Sequence, residues 1–404
     1  MLFQTMDDKS ECVGFYRNGN LYFDVEEFPA DLTKTWSYAP YLKNLEDIEY
    51  ASLYLQGEQI SEVVPEYLMD DWKDATGKLD SHVRSLKIAK VDMNENCIYD
   101  LTPKRFLVEW CEVKNKITEY VLTKVERPQR YDFLLEVCKM LHDISSKKLN
   151  LDKRILQVLK VPNGQKDRLL AASPYIRYDQ FGTKTGRLST KKNSFPILTL
   201  NRDFRGLIKP NNDTFVELDF NGAEVRCLLG LLGVKQPMDD VHDFHRLNVF
   251  GTHFTRKQAK EFFFAWLYGS RAAEIKKHAK SLEKFYDKKK IMTDFWDGQT
   301  VVTPLGKRIE NVSQHHALNY IVQSTTAELT LLQALKINHL LEKRSEKSFI
   351  CAIIHDSIII DLDKRDRHLL PVIKKIMQNT KFGTFRINVA EGKNLGKMKD
   401  IHRG

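Results

Sequence analysis

Near its C-terminal end the chain reads SFICAIIHDSIIIDLDK (348–364), and this stretch leaves few ways to fold. Two strongly β-prone apolar runs flank His355–Asp356–Ser357, so the segment makes a tight hairpin with Asp356 at its tip. An acid at the apex of an apolar hairpin has little structural purpose of its own, and its place there points to chemistry. A second carboxylate is delivered in a comparable way by TFVELDFNGAEVRCLLGLLG (214–233). There a β-prone run carries Asp219 to a strand end, and a helical pattern follows with Glu224 and Arg226 on its opening turns. A carboxylate at a sheet rim suits a hard cation; capping the helix is the competing role for Asp219.

Between these two acids lies TRKQAKEFFFAWLYGS (255–270). Arg256, Lys260, Phe264 and Tyr268 recur every fourth residue and form one stripe on a helix that Gly269 stops. Two cations followed by two rings can hold a phosphate chain and stack a base; an ordinary amphipathic helix with solvated Lys and Arg shows the same spacing. DDVHDFHRLNVFG (239–251) holds His242 and His245, read as substrate contact or packing rather than metal ligands, because the ion implied by the carboxylates is oxygen-ligated. TVVTPLGKRIE (300–310) reads as a hairpin turning at Pro304–Gly306. The helix from 314 to 342 places Asn319 and Gln323 one turn apart, suited to base edges or sugars, or simply a polar face.

The net charge of +9 is unevenly spread. Residues 1–80 hold 17 acidic and 6 basic residues, a net of −11, which leaves +20 for residues 81–404. The basic excess peaks at 271–290, with 8 basic and 3 acidic residues. Binding of a polyanion by the larger part follows, with a solvated helix face as the alternative for that segment. Lys147 and Lys148 add a basic tail to two helical stretches within 101–165. YDQFGTKTGRLSTKKN (178–193) offers backbone N–H groups, hydroxyls and Arg187 to phosphates.

The first 100 residues suggest a small α/β unit, with strand-like GNLYFDVEEF and IEYASLYLQG. Asp24 and Glu26 form a D-x-E of the kind that opens metal-dependent 3′–5′ exonucleases; the pair is common by chance, and the segment suggests a nuclease remnant or a docking module. Six scattered cysteines without a C-x-x-C pair argue against a zinc site or disulfide framework and for a reducing cytosol. No apolar run reaches the roughly 18 residues of a membrane span, and the acidic start is unlike a signal peptide.

Taken in order, these segments resemble family A of the DNA polymerases, that of bacterial DNA polymerase I and its phage relatives. The resemblance covers about 170–404 and rests on five motifs: T-x-T-G-R-L-S (Thr183–Ser189), D-x4-E-x-R (Asp219, Glu224, Arg226), R-x3-K-x7-Y-G (Arg256, Lys260, Tyr268, Gly269), N-x3-Q (Asn319, Gln323) and H-D (His355, Asp356). It implies an α+β right-hand fold with an antiparallel palm sheet: thumb at 101–165, palm at 166–235 and 300–404, fingers at 236–299, and a small acidic α/β region at 1–100.

The resemblance also assigns roles. Asp219 and Asp356, with the backbone carbonyl of Phe220, would hold two Mg²⁺ ions. Arg256 and Lys260 would meet the triphosphate, Lys260 as the acid that protonates pyrophosphate, and His242 would touch the β-phosphate. Phe264 and Tyr268 would stack on the incoming dNTP. Glu224 would be the steric gate against a ribose 2′-OH. Arg187, Asn319, Gln323, His355 and Gly269 would contact primer–template DNA. The implied activity is DNA-directed DNA synthesis in the cytoplasm of a host cell, without proofreading, and a separate exonuclease subunit or processivity factor could dock on the acidic N-terminal residues.

One departure stands out: Ser357 follows Asp356 where the family usually has Glu. H-D-S is usual in phage-type single-subunit RNA polymerases, but those enzymes lack a Glu at the position of Glu224 and lack the T-G-R-L-S loop. A polymerase-like protein that only binds DNA is the other alternative, and it would have no need of both carboxylates.

Overall fold

The computed structural model describes residues 1–8, 11–23, 28–93, 95–158, 163–270, 272–345 and 347–402. It contains two compact units, Met1–Ser146 and Lys147–Gly404.

In the first unit, β1 (Gln4–Asp8), β2 (Glu11–Arg17) and β3 (Asn20–Phe23) form an antiparallel sheet in that order. The β2–β3 turn is Asn18–Gly19 with φ of 46° and 81°, the left-handed pair that a two-residue hairpin loop asks for. Three long helices follow, with shorter helical turns before and between them: α1 (Met69–Ile88), α2 (Lys104–Lys124) and α3 (Tyr131–Ser146). The predicted three-and-four spacing buries Leu107, Cys111, Ile117 and Val121 on α2, and Leu134, Val137, Leu141 and Ile144 on α3.

One expectation needs correction here. IEYASLYLQG is a strand only at Glu49–Tyr50; Ala51–Tyr54 is a helical turn that buries Ala51, Leu53 and Tyr54 against α2 and α3. Packing overrides the β-prone composition. α2 and α3 belong to the same compact unit as the N-terminal sheet, and α2 packs on both β1 and α1. Asp24 and Glu26 lie outside the described residues.

The second unit is built on an antiparallel sheet. β4 (Thr214–Phe220) is central, flanked by β6 (Ser357–Leu362) and β7 (Ile387–Gly392), with β5 (Phe349–Ile354) and β8 (Lys399–His402) at the edges. Along β4, Phe215, Val216, Leu218 and Phe220 are buried, while Glu217 and Asp219 share the partly open face. The β5–β6 connection is the predicted tight hairpin: Ile354 pairs with Ser357 and only His355–Asp356 lies between. His355 takes φ of 57°, a left-handed conformation that His tolerates better than most residues.

Around this sheet run α4 (Ala223–Leu231), α5 (Val241–His245), α6 (Arg256–Leu267), α7 (Ala273–Glu283) and the long α8 (Gln314–Arg344). α8 is buried all round over residues 324–331, polar residues such as Thr325, Thr326 and Glu328 included, and packs on β5, β6 and α4. The hairpin predicted at 300–310 is present, with Val301–Val302 against Arg308–Ile309 and Gly306 at φ of 85°. α6 starts with a capping box between Thr255 and Gln258 and ends at Tyr268, followed by Gly269 at φ of 79°.

Candidate active site

The sheet register decides which groups meet. Asp219, near the end of β4, pairs with Ser357 on one side and Asn388 on the other. Ser357 is the residue after the hairpin tip, so the two expected carboxylates, Asp219 and Asp356, are brought to one edge of the sheet. They line a cleft of about 310 Å³ together with Phe220, Glu224, His242, Arg256, Lys260, Phe264, Arg187 and His355. Ten residues from five separated segments thus converge.

Electrostatics makes the carboxylate pair unusual. Burial pushes the Asp219 carboxyl up to about 7, and the nearby Asp356 charge adds to the effect. Asp356 is raised too, by burial above all, with His355, Arg187 and Lys260 pulling the other way. Asn388 steadies Asp219 by donating from Nδ2 to its Oδ2 at 3.2 Å. Two desolvated carboxylates side by side are costly unless a cation joins them, and their hard oxygens suit Mg²⁺. Among the described residues no group of three or more His, Cys, Asp or Glu is placed to hold a metal. Mg²⁺ commonly uses one or two carboxylates and takes its remaining ligands from water and substrate phosphates, so the pair fits. Ser357 supplies no replacement for the usual Glu: it is 4% exposed and its hydroxyl donates to the Ile354 carbonyl at 3.1 Å.

Glu224 is clamped. Its Oε1 accepts from Arg187 Nη2 and its Oε2 from the Tyr268 hydroxyl. Tyr268 itself lies outside the cleft wall but stacks on Phe264 at 6.0 Å and 21°, so the cation–ring stripe of α6 is present as predicted. Burial and the Glu224 charge raise the Tyr268 phenol and keep it a donor; Gln323 reaches the same hydroxyl from α8. Asn319, one turn earlier, does not line the cleft, nor does Gly269, which is exposed and whose positive φ is accounted for as the helix stop.

Of the two histidines, His245 is packing: fully buried, stacked on Phe263 at 4.5 Å, with Nε2 against the Tyr286 hydroxyl. His242 lines the cleft, and its Nδ1 has no hydrogen-bond partner among the described residues. Burial lowers it to about 4, with Lys260, Arg256 and Arg226 adding to the effect against Asp240, so it is a neutral imidazole near pH 7. Lys147 is exposed, with its amine 5.3 Å from the Phe349 ring centre.

Sequence reasoning missed Asn388, Asn221 and Asp240. Asn388 meets Asp219 only through strand pairing across 169 residues, which no local pattern announces. Asp240 stood within the quoted D-D-V-H segment, where an Asp before a short helix is an N-cap signal; it does cap α5, accepting from the backbone of His242 and Asp243.

A strand-end carboxylate and a hairpin-tip carboxylate on one antiparallel sheet, under a helix bearing cations and rings, define the class: a polymerase domain of the right-hand type. The comparisons agree. The chain is similar along 98% of its length, with a TM-score of 0.68 and 11% identity, to 95% of a solved chain described as the POL domain of Pol1 from M. smegmatis in complex with DNA primer–template and dNTP. DNA polymerase I of Aquifex aeolicus is 25% identical over 280 residues, 58% of this chain and 48% of that protein. DNA polymerase I of Lactococcus lactis subsp. lactis is 24% identical over 247 residues, 50% of this chain and 28% of that protein. The DNA polymerase of Bacillus phage SP01 is 28% identical over 103 residues, 26% of this chain and 10% of that protein. The chain therefore spans about half the length of the Aquifex relative and less of the others. No protein-family model matches it. The chain thus shares sequence similarity with DNA polymerase I proteins over about half its length, and the fold of a DNA polymerase I polymerase domain over nearly all of it.

Proposed function

We propose that this chain is a template-directed DNA polymerase that adds dNTPs to a primer 3′-hydroxyl on a DNA template. The observation that carries the reading is the meeting of Asp219 and Asp356 in one cleft with Arg256, Lys260 and a clamped Glu224. Asp219 and Asp356, with the Phe220 carbonyl, would hold two Mg²⁺ ions. When bound, such ions supply an activated 3′-hydroxyl and neutralise the triphosphate.

The chain's own residues do the rest. Arg256 and Lys260 bind the phosphates as the primer oxygen bonds to the α-phosphorus and pyrophosphate departs; Lys260 gives that leaving group its proton. His242, neutral and lining the cleft, would touch a phosphate oxygen there. Phe264 and Tyr268 present stacked rings to the base. Arg187 and His355 would contact the primer–template at the cleft, and Gln323, Asn319 and Gly269 would do so from outside its wall. In the domain terms of the family, 166–235 and 300–404 are palm, 236–299 fingers and 101–165 thumb.

Glu224 carries the sugar selection. With both carboxylate oxygens engaged by Arg187 and Tyr268, it has no rotamer left to vacate for a 2′-hydroxyl. The test is extension of a labelled DNA primer with dNTPs and with rNTPs, on the unmodified chain and on Glu224→Ala. Extension with dNTPs alone, and rNTP incorporation rising at least about tenfold in the variant, is the expected result; efficient rNTP use by the unmodified chain contradicts it. Absence of proofreading belongs to the same proposal, and a mismatched 3′ end that the protein trims before extending contradicts that part.

A further inference from the structure

Arg256 enters the cleft already paired. Its Nε and Nη2 donate to Asp240 Oδ1 and Oδ2 at 3.0 and 2.7 Å. The carboxylate is fixed from behind. Its Oδ1 accepts from the backbone N–H of His242 and of Asp243 at 3.0 Å each, and its Oδ2 from Asn221 Nδ2 at 2.7 Å. Asn221 is itself braced: it is 4% exposed, and its Oδ1 accepts from the Val241 N–H at 3.1 Å and from Arg226 Nη2 at 3.3 Å. Arg226, with no exposed surface, also donates to the carbonyls of Asn221, Pro237 and Asp239 at 2.7, 2.8 and 2.9 Å. A rigid series of hydrogen bonds thus runs from a buried guanidinium to a cleft-lining one.

Stability does not account for the last pair. The Arg256 side chain is 49% exposed, and ion pairs that open to water contribute little. Orientation does account for it. Asp240 takes the Nε edge of the guanidinium, which leaves Nη1 and the second hydrogen of Nη2 as the fork presented elsewhere; a guanidinium has five donors and can serve two anions at once. Arg256 lines both the catalytic cleft and a second one of about 650 Å³, whereas Asp240 lines only the second. Asp219, Asn221 and Asn388 line both clefts as well, so the carboxylate grips Arg256 from outside the catalytic cleft, on its boundary with the second.

We propose that Asp240, held by Asn221 and Arg226, is the positioning residue for the incoming triphosphate: it fixes the Arg256 guanidinium edge-on so that its Nη fork meets the phosphate chain. This rests on the polymerase reading above. The test is single-nucleotide incorporation by the unmodified chain, Asp240→Asn, Arg256→Ala and the double variant, with Tm measured on each. Asn keeps the helix cap but withdraws the charge and the two-point grip. KM for dNTP rises about tenfold in Asp240→Asn with kcat within about threefold, and the substitution adds nothing once Arg256 is Ala, since coupled residues are non-additive. Additive effects, or a KM that falls because Asp240 competes with the triphosphate, overturn the inference alone. An unmodified chain that incorporates nothing overturns the polymerase reading and the inference with it. Should Asp240→Asn melt early, Asn221→Ser in the same cycle carries the test, with the same result expected and additivity again overturning it.

Discussion

Asp219 shows what the site costs the fold. Its carboxyl has an ordinary value of 3.8 and is pushed up to about 7 by burial and by Asp356. A group whose pKa rises on folding favours the native state when protonated, so stability is lost as pH climbs from the unfolded value through about 7. Asp219→Asn removes that titration. In metal-free buffer the variant is expected to melt above the unmodified protein, by an amount that grows between pH 4 and 7, levels off above, and reaches on the order of 4 kcal/mol. A difference that does not change with pH in thermal melts contradicts the assignment. Added Mg²⁺ should narrow the gap, since a cation that binds the native carboxylates stabilises the unmodified protein and not the variant.

At the scale of elements, the turn between β4 and α4 is where motif and packing meet. Gly222 takes φ of 71° at the start of α4, and a Cβ built there would stand 2.5 Å from Val241 Cγ1 and 3.5 Å from His242 Nε2. Gly222→Ala combines a left-handed backbone with a steric clash and is expected to cost about 1–3 kcal/mol, seen as a lower Tm. It should also raise KM for dNTP by displacing His242. An unchanged Tm contradicts the account of the turn. This scale also shows what could be read from the chain alone. The hairpin at Asp356, the stripe on α6 and the strand that ends at Asp219 were legible because each is written in residues a few positions apart. The grip of Asn388 on Asp219, and that of Asp240 on Arg256, depend on strand register and on how α5 meets α6, which spacing does not record. IEYASLYLQG was misread for the same reason: its aromatic residues serve a helical turn against α2 and α3 rather than a strand.

For the molecule as a whole, charge and cleft belong together. With −11 in residues 1–80 and +20 in the remainder, the basic excess lies on the part of the chain that carries the site. Duplex DNA binding should therefore be dominated by phosphate contacts and weaken by at least about 100-fold between 50 and 200 mM salt. An affinity that hardly responds to salt would point away from a nucleic-acid partner. No helix among the described residues is long and apolar enough to cross a membrane. The central claim is that the paired carboxylates perform nucleotidyl transfer while other groups hold the DNA. Single-turnover incorporation by the unmodified chain and by Asp356→Asn, with duplex affinity measured on the same samples, tests it most directly. The account predicts a loss of at least about 10³-fold in rate with affinity within about twofold. Incorporation that survives the substitution, or a duplex affinity that collapses with it, would contradict the account.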